Sequence, residues 1–155
     1  MMNGMDENSL CFKIIKGIPS TSELNILESL YAETFEDARL DFFSKRLTEK
    51  DDVCSLIAFE NNTPIGFKIG YNYNEKTFYS WVGGILPKYR RNGVAKKLAQ
   101  LQEQWAKKNN YLNIRTKSMN QFKPMMILNL KNGFDIVSIY TNSTNQTKIV
   151  FEKQL

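Results

Sequence analysis

The residues of this chain that could do chemistry concentrate in one short basic stretch. Arg90, Arg91 and Lys96 surround Gly93 and Ala95, directly after a run of strand-forming residues and before a helix-forming one. The first backbone N–H groups of such a helix have no intrahelical partners. Together with the positive end of the helix dipole they form an anion site suited to a pyrophosphate. Gly93 permits close approach of the backbone to a ligand, Ala95 leaves room beside it, and the cations can supply charge to further phosphates.

A solvated loop in which glycine only makes a turn is the alternative explanation of this stretch. The order strand, basic turn, helix favours the anion site over that alternative. Gly83 and Gly84 lie inside the strand that leads into the turn. Glycines inside a strand indicate a β-bulge or a close approach by another backbone or a ligand.

Composition excludes several kinds of active site. The chain has no histidine, which removes histidine-based nucleophilic triads, histidine general bases and most catalytic zinc sites. Cys11 and Cys54 lie far apart in apolar, strand-like segments without a CxxC spacing. We therefore expect buried, unreactive thiols in preference to a catalytic cysteine, with no disulfide and no metal site.

The length of 155 residues, with 42% hydrophobic and 24% charged residues, is typical of one soluble globular domain. No linker-like tract divides the chain, so we expect a single domain over residues 1–155, with residues 1–10 as a flexible N-terminal extension. The N-terminal residues lack a signal-peptide pattern, and no apolar run approaches the roughly 20 residues that span a membrane. We expect a cytoplasmic protein with no membrane partner.

The formal net charge of +5 conceals an asymmetry. Residues 1–63 carry six Lys and Arg against twelve Asp and Glu, whereas residues 87–131 carry eleven Lys and Arg against one acid. A region that basic could bind a nucleic-acid backbone. Its cations, however, surround one anion-sized turn, and no DNA- or RNA-reading motif is present. We therefore expect no nucleic-acid partner and keep a nucleic-acid-binding module only as the least favoured hypothesis.

Residue periodicity predicts elements in the order β-α-α-β-β-β-α-β-α-β-β, which indicates a mixed sheet with helices on both faces. The clearest helix covers residues 93–108, where Val94, Leu98, Leu101 and Trp105 repeat at helical spacing. Strands are predicted for residues 77–86 before it and 111–117 after it.

Several apolar residues beside these elements are predicted to belong to the core. Leu40 should point inward from the second helix, and Met125 and Met126 should pack against the sheet. The aromatic cluster of Phe78, Tyr79 and Trp81 is more typical of a core than of a substrate pocket.

The sequence Arg90-x-x-Gly93-x-Ala95, between a strand ending in Ile85-x-Pro87 and an amphipathic helix, resembles the acyl-CoA signature of the GNAT acetyltransferase superfamily. The element order and the pair Gly133-Phe134 before the sixth strand extend the resemblance over nearly the whole chain. The resemblance implies an α/β fold with a mixed sheet of about seven strands, whose fourth and fifth strands splay apart. It also implies transfer of an acetyl group from acetyl-CoA to a primary amine of a small molecule or peptide, by direct attack in a ternary complex.

The resemblance further implies which residues hold the cofactor. The basic turn would cradle the CoA pyrophosphate, and the pantetheine arm would lie in the gap beside a bulged strand around residues 83–85. A backbone amide of that strand would polarise the thioester carbonyl, which needs no histidine. The cofactor-binding residues assigned in this way are Gly84, Ile85, Leu86, Arg90, Arg91, Asn92, Gly93, Val94, Ala95, Lys96, Asn120 and Asn129.

Two departures from the family pattern leave the catalytic residues unassigned. Family members often carry a glutamate on or near the fourth strand as general base, but no carboxylate lies between Glu75 and Lys88. Family members also often place a tyrosine four residues before the Gly-Phe pair as general acid, and here that position is Asn129. The candidate bases are Glu60, Glu75, Glu33 and Glu36, and a route through water alone stays open.

The acceptor is also left open. The first two helices help to wall the acceptor site in GNAT folds, and here that region contains Glu33, Glu36, Asp37 and Asp41. These acids predict a cationic acceptor, with a solvated acidic surface as the equal alternative. The missing tyrosine and glutamate also keep a catalytically silent acyl-CoA sensor as a hypothesis. The sequence leaves open a monomer or a homodimer, and acetyl-CoA or a longer acyl-CoA.

Overall fold

The computed structural model describes residues 9–155. They form strands and α-helices in the predicted order: β1 (Leu10–Lys16), α1 (Thr21–Thr34), α2 (Leu40–Glu49), β2 (Cys54–Glu60), β3 (Thr63–Asn72), β4 (Thr77–Ile85), α3 (Val94–Lys108), β5 (Asn113–Ser118), α4 (Lys123–Lys131), β6 (Asp135–Thr141) and β7 (Thr147–Gln154). A short 3₁₀ turn, Pro87–Tyr89, connects β4 towards α3.

The expected N-terminal extension was drawn too long. Leu10 already belongs to β1, where it pairs with Glu60 of β2. Residues 1–8 lie outside the described residues.

The strands form one mixed sheet in the order β1-β2-β3-β4-β5-β7-β6. Neighbouring strands are antiparallel except β4 and β5, which are parallel. A parallel pair needs a crossover connection, and α3 supplies it. The predicted fold class, a mixed sheet of seven strands with helices on both faces, is confirmed.

Each face of the sheet carries its own core. Helices α1 and α2 cover one face, where buried Leu27, Leu30, Phe43 and Leu47 pack with side chains such as Phe67 and Ile69 of β3. Helix α3 covers the other face, where Val94 and Leu98 pack with Leu56, Ala58 and Ile85. Trp105, further along α3, is buried with Phe78 and Ile114, as its place in the helical repeat predicts.

Local capping fixes the start of α1. The Ser20 hydroxyl accepts from the Glu23 backbone N–H at 3.2 Å, and the Glu23 carboxylate accepts from the Ser20 N–H at 2.8 Å. This reciprocal capping box stabilises the helix that lies over the second half of β4.

Three predicted core residues are exposed instead. Leu40 is 41% exposed because it is the first residue of α2 and lies beyond the core that Phe43 reaches. Met125 is 51% exposed because α4 turns Met126 towards the core in its place. Cys11 is exposed because β1 is an edge strand of the sheet.

Within the described part of the chain, none of the helices is both long enough and apolar enough to cross a membrane.

Candidate functional site

The connection from β4 to α3 is a basic turn with an uncapped helix start. Gly93 is the N-cap residue of α3 and adopts φ 78° and ψ 4°, a left-handed conformation that favours glycine. No side chain among residues 9–155 caps this helix, and its first turn contains no acid. The first N–H groups of α3 are therefore available to an anion, as the sequence predicts.

The charged and polar side chains of the turn differ in their roles. Arg91, Asn92 and Lys96 are exposed. Arg90 also forms a hydrogen bond within the protein, in which its Nε donates to the Ile85 carbonyl oxygen at 2.8 Å. Arg90 therefore fastens the turn to the end of β4 and holds its charge beside the start of α3. Ala95 is exposed, which leaves the first turn of the helix open to a ligand.

Strands β4 and β5 part beside this turn. They pair only over Thr77–Tyr79 with Asn113–Arg115, although β4 continues to Ile85 and β5 to Ser118. Beyond that point the Thr116 hydroxyl donates to the Ser80 carbonyl oxygen at 3.1 Å. The splayed pair that the family resemblance implies is present.

The open edge of β4 offers backbone groups to a ligand. The Leu86 N–H donates to the Ile65 carbonyl of β3 at 2.8 Å. Because backbone groups of successive strand residues point to opposite sides, the Ile85 N–H points away from β3 and towards the gap, whereas the Ile85 carbonyl oxygen already accepts from Arg90 Nε. A ligand in the gap would meet this edge, as expected.

The bulge of β4 lies earlier than predicted. Ile69 of β3 is opposite Val82, and Gly70 is opposite Ser80, so Trp81 is the extra residue. The strand around Gly83–Ile85, where the bulge was expected, pairs with β3 in regular register. A bulge leaves two successive side chains on one face, and Trp81 and Val82 both pack against the α1–α2 core.

The two glycines of β4 serve a close approach instead. A Cβ at Gly84 would overlap the Thr34 side chain at the end of α1. A Cβ at Gly83 would lie 3.0 Å from the Phe67 carbonyl oxygen. The close approach predicted from the glycine pair is therefore present, and other parts of this chain make it.

The asparagines assigned to the cofactor lie at either end of α4. Asn129 is 8% exposed, and no described residue forms a hydrogen bond with its side chain. The donor and acceptor groups of this amide are therefore free to bind a polar ligand. Asn120 is exposed and precedes the helix, where its carbonyl oxygen accepts from Lys123 Nζ at 2.7 Å.

Comparison with known protein families decides the classification. The model of the acetyltransferase (GNAT) family matches residues 22–123, more than half of the chain and the whole of the basic turn. The chain belongs to the GNAT acetyltransferase family. No curated protein sequence matches it significantly.

Solved structures share the GNAT fold over almost their full length. The ribosomal-protein-S18-alanine N-acetyltransferase of Escherichia coli aligns with a TM-score of 0.76 at 13% identity, covering 93% of this chain and 94% of that one. A GNAT family acetyltransferase of Elizabethkingia anophelis with acetyl-CoA bound aligns with a TM-score of 0.76 at 18% identity, covering 96% and 99%. The PaiA N-acetyltransferase of Thermoplasma acidophilum in complex with coenzyme A aligns with a TM-score of 0.69 at 19% identity, covering 94% of this chain and 99% of that one.

The four candidate bases of this GNAT acetyltransferase lie in three different places. Glu75 is exposed in the turn before β4, at the end opposite Ile85. Glu60 lines a cavity of about 250 Å³ with Tyr89, Asn92 and other residues, so it lies beside the basic turn. Glu33 and Glu36 are exposed on either side of Thr34, the residue that contacts Gly84.

Neither cysteine is placed as a nucleophile. Burial, with a smaller contribution from the charge of Asp52, raises the pKa of the Cys54 thiol to about 12. Cys54 is therefore protonated at neutral pH and unreactive, as predicted. Cys11 is a free, exposed thiol on the edge strand. Among residues 9–155, no group of three or more His, Cys, Asp or Glu could hold a metal ion.

Sequence reasoning missed two parts of the site. Trp81 packs against the α1–α2 core as predicted, but the sequence did not predict that it is the half-buried bulge residue where the strands part. Thr116, whose hydroxyl bridges the parted strands, was not singled out. One signal in the sequence could have indicated Thr116: it is a polar residue in a strand that also contains the buried Ile114.

Proposed function

We propose that this GNAT acetyltransferase transfers the acetyl group of acetyl-CoA to a primary amine of a small molecule or peptide, by direct attack in a ternary complex. The observation that carries the proposal is the uncapped, basic start of α3 at the end of β4, directly beside the gap between β4 and β5. A cytoplasmic location, which free cysteines favour, is part of the proposal.

The residues of the turn and the open edge fit acetyl-CoA. Among the described residues, no atom lies within 4 Å of a Cβ built at Gly93, so these residues leave space for phosphate oxygens beside the helix start. The side chain of Asn129, which has no hydrogen-bond partner among them, offers a further polar contact. The proposed cofactor-binding set is Gly84, Ile85, Leu86, Arg90, Arg91, Asn92, Gly93, Val94, Ala95, Lys96, Asn120 and Asn129.

Bound acetyl-CoA supplies an activated acetyl thioester. A backbone N–H at the open edge of β4, near Ile85, would donate to the thioester carbonyl oxygen and stabilise the negative charge that develops there. Glu33 and Glu36, at the end of α1 that contacts Gly84, are the better placed of the candidate bases, acting directly or through water. Asn129 can hydrogen-bond the cofactor but cannot serve as an acid, so the departing thiolate would take its proton from solvent.

The proposal is tested by free-thiol release from acetyl-CoA with a panel of primary amines, checked by mass spectrometry of the acetylated product. We expect thiol release that depends on the amine and matches the product in amount. Hydrolysis of acetyl-CoA at the same rate without an amine would contradict the proposal.

A catalytically silent acyl-CoA binder is the second candidate. The observation that favours it is the absence of a carboxylate on β4, together with Asn129 at the position where family members often carry a tyrosine. Calorimetric binding of CoA without turnover of any amine would support this candidate over the enzyme.

A further inference from the structure

A row of four aromatic side chains lies on the face of the sheet that α1 and α2 cover. Ring centroids are 6.4 Å apart for Tyr73 and Tyr79, 5.4 Å for Tyr79 and Tyr71, and 6.0 Å for Tyr71 and Trp81. We call these four residues the aromatic row. Tyr79 is the last β4 residue that pairs with β5, and Trp81 is the bulge residue, so the row runs past the point where the strands part.

Cationic side chains lie over the aromatic row. The Arg46 guanidinium of α2 is 5.2 Å from the centroid of the Trp81 ring, and its Nη1 donates to the Tyr71 hydroxyl at 2.9 Å. The Lys117 ammonium of β5 is 5.6 Å from the Tyr79 ring. Burial raises the pKa of Tyr79 above its usual value, so the phenol between the two cations stays neutral and does not offset their charge.

Neither cation has an acidic partner within 4.0 Å among residues 9–155, although both side chains are half-buried. Two other half-buried cations have an acidic partner: Arg115 donates to Glu152 at 2.7 Å, and Lys153 donates to a carboxylate of α3 at 3.0 Å. Ring contacts and the Tyr71 hydroxyl replace part of the hydration that these cations lose, but neither cation has a counterion among residues 9–155. An anionic ligand would supply the missing partner of Arg46 and Lys117.

The aromatic row and the basic turn lie on opposite faces of the sheet. Val94 and Leu98 of α3 pack with Ile85 on one face, whereas Tyr71, Tyr79 and Trp81 pack with the α1–α2 core on the other. The gap between β4 and β5 connects the two faces of the sheet. A ligand on the row could therefore reach an acetyl group that enters the gap from the side of α3.

The acids that predict a cationic acceptor are not part of this surface. Glu33, Glu36, Asp37 and Asp41 are all exposed. Within the described chain only Asp41 among them forms an ion pair, with Arg39 at 4.0 Å. The positive charge over the aromatic row therefore comes from Arg46 and Lys117.

We propose that the acceptor is an amine that also carries a carboxylate, and that Arg46 and Lys117 bind this carboxylate on the aromatic row. The inference rests on the proposed acetyl transfer. The planar N–H groups of Arg46 that Tyr71 does not use match the two oxygens of a carboxylate. Lys117 supplies a second charge, and the surrounding rings strengthen both contacts by excluding water.

Paired acceptors with and without the carboxylate test this proposal. Amino acids and their C-terminal amides are compared by thiol release at a fixed acetyl-CoA concentration, with kcat/KM expressed per neutral amine because amidation lowers the pKa of the amino group. We expect kcat/KM to be about tenfold or more higher for the amino acids, the size of a charge-assisted hydrogen bond. Equal or higher values for the amides, for polyamines or for phosphoethanolamine would overturn the proposal.

Matched variants locate the effect. Arg46→Gln and Lys117→Gln should each raise KM for the amino acids about tenfold and raise KM for the amides by a smaller factor. Lys45→Gln removes the same charge from an exposed neighbour of Arg46 on α2 and should change nothing. An equal effect of Lys45→Gln would show long-range charge in place of a binding site and would contradict the proposal.

Direct binding separates this proposal from the proposed function. Amino acids and their amides are titrated calorimetrically into CoA-saturated protein and into its Arg46→Gln variant. Binding that needs the carboxylate and Arg46, without turnover, would support the carboxylate site and refute acetyl transfer. Turnover of amines without preference for a carboxylate, or no binding of the amino acids, would refute the carboxylate site.

Discussion

At the scale of single residues, the proposed cofactor-binding turn depends most on Gly93. Its φ of 78° is strained for any side chain, although a Cβ would meet no atom within 4 Å. The residue therefore combines a conformational requirement with an open space, which is the arrangement expected where a backbone faces a ligand.

Replacing Gly93 with alanine should separate these two roles. We expect Gly93→Ala to lower the free energy of unfolding by about 1 kcal/mol, because of the left-handed conformation. It should also weaken CoA binding by about tenfold or more, because the methyl group projects towards the phosphate site. Urea unfolding and calorimetric titration with CoA measure the two effects.

Gly17 provides the control for that variant. It has φ 77° and equally open surroundings, but it lies between β1 and α1. Gly17→Ala should therefore cost the same stability and leave CoA affinity unchanged. Wild-type affinity in Gly93→Ala would contradict the assignment of this turn to the pyrophosphate.

The two free cysteines should differ sharply in reactivity. Burial raises the pKa of Cys54 to about 12, so almost no reactive thiolate forms at pH 8, whereas Cys11 is exposed. We expect a disulfide reagent such as DTNB to modify one thiol in the folded protein and the second only after unfolding in urea. In Cys11→Ser the rapid phase should vanish, and rapid modification of that variant would show that Cys54 is accessible.

At the scale of elements, the site is made by the parting of β4 and β5. The strands pair over three residues of each and are then joined by the side chain of Thr116. Pairing with β3 and the bulge at Trp81 direct the second half of β4 away from β5. Helix α3 begins shortly after the end of this half of the strand. The gap and the anion site therefore form together.

Removing the link between the parted strands should destabilise the protein. Thr116→Val keeps the β-branched shape but leaves the Ser80 carbonyl without its donor, which should lower the free energy of unfolding by about 1 kcal/mol. Thr147→Val, at an exposed position of β7, should change it by less than about 0.5 kcal/mol. Urea unfolding compares the two, and equal stability of both variants would show that the Thr116 link contributes nothing.

At the scale of the whole molecule, the sheet separates the basic turn from the aromatic row. The basic turn lies with α3 on one face, and the aromatic row lies under α1 and α2 on the other. The charge asymmetry of the sequence does not map onto these faces, because Arg46 comes from the acidic segment and lies over Trp81 beside the gap. A ternary complex on this fold would bring its two substrates together through the sheet.

The features that the sequence determined by itself are local ones. Helical spacing from Val94 to Trp105 fixes α3, and a glycine that tolerates positive φ at its start fixes the turn. These depend on neighbours a few residues apart, so the element order, the mixed sheet and the strand–turn–helix sequence that predicts an anion site could all be anticipated. The family resemblance added the splayed strand pair and the cofactor.

Only the tertiary structure decided the features that depend on distant residues. The bulge lies at Trp81 and not at Gly83–Gly84 because register between β3 and β4 places it there. Gly84 is small because Thr34 of α1 packs against it. Arg46 and Lys117, 71 residues apart, lie over one aromatic row only because the fold places Arg46 over Trp81 and Lys117 over Tyr79. Strand register, side-chain burial and ion pairing depend on contacts between residues that are distant in the sequence. The spacing of residues along the chain therefore does not predict them.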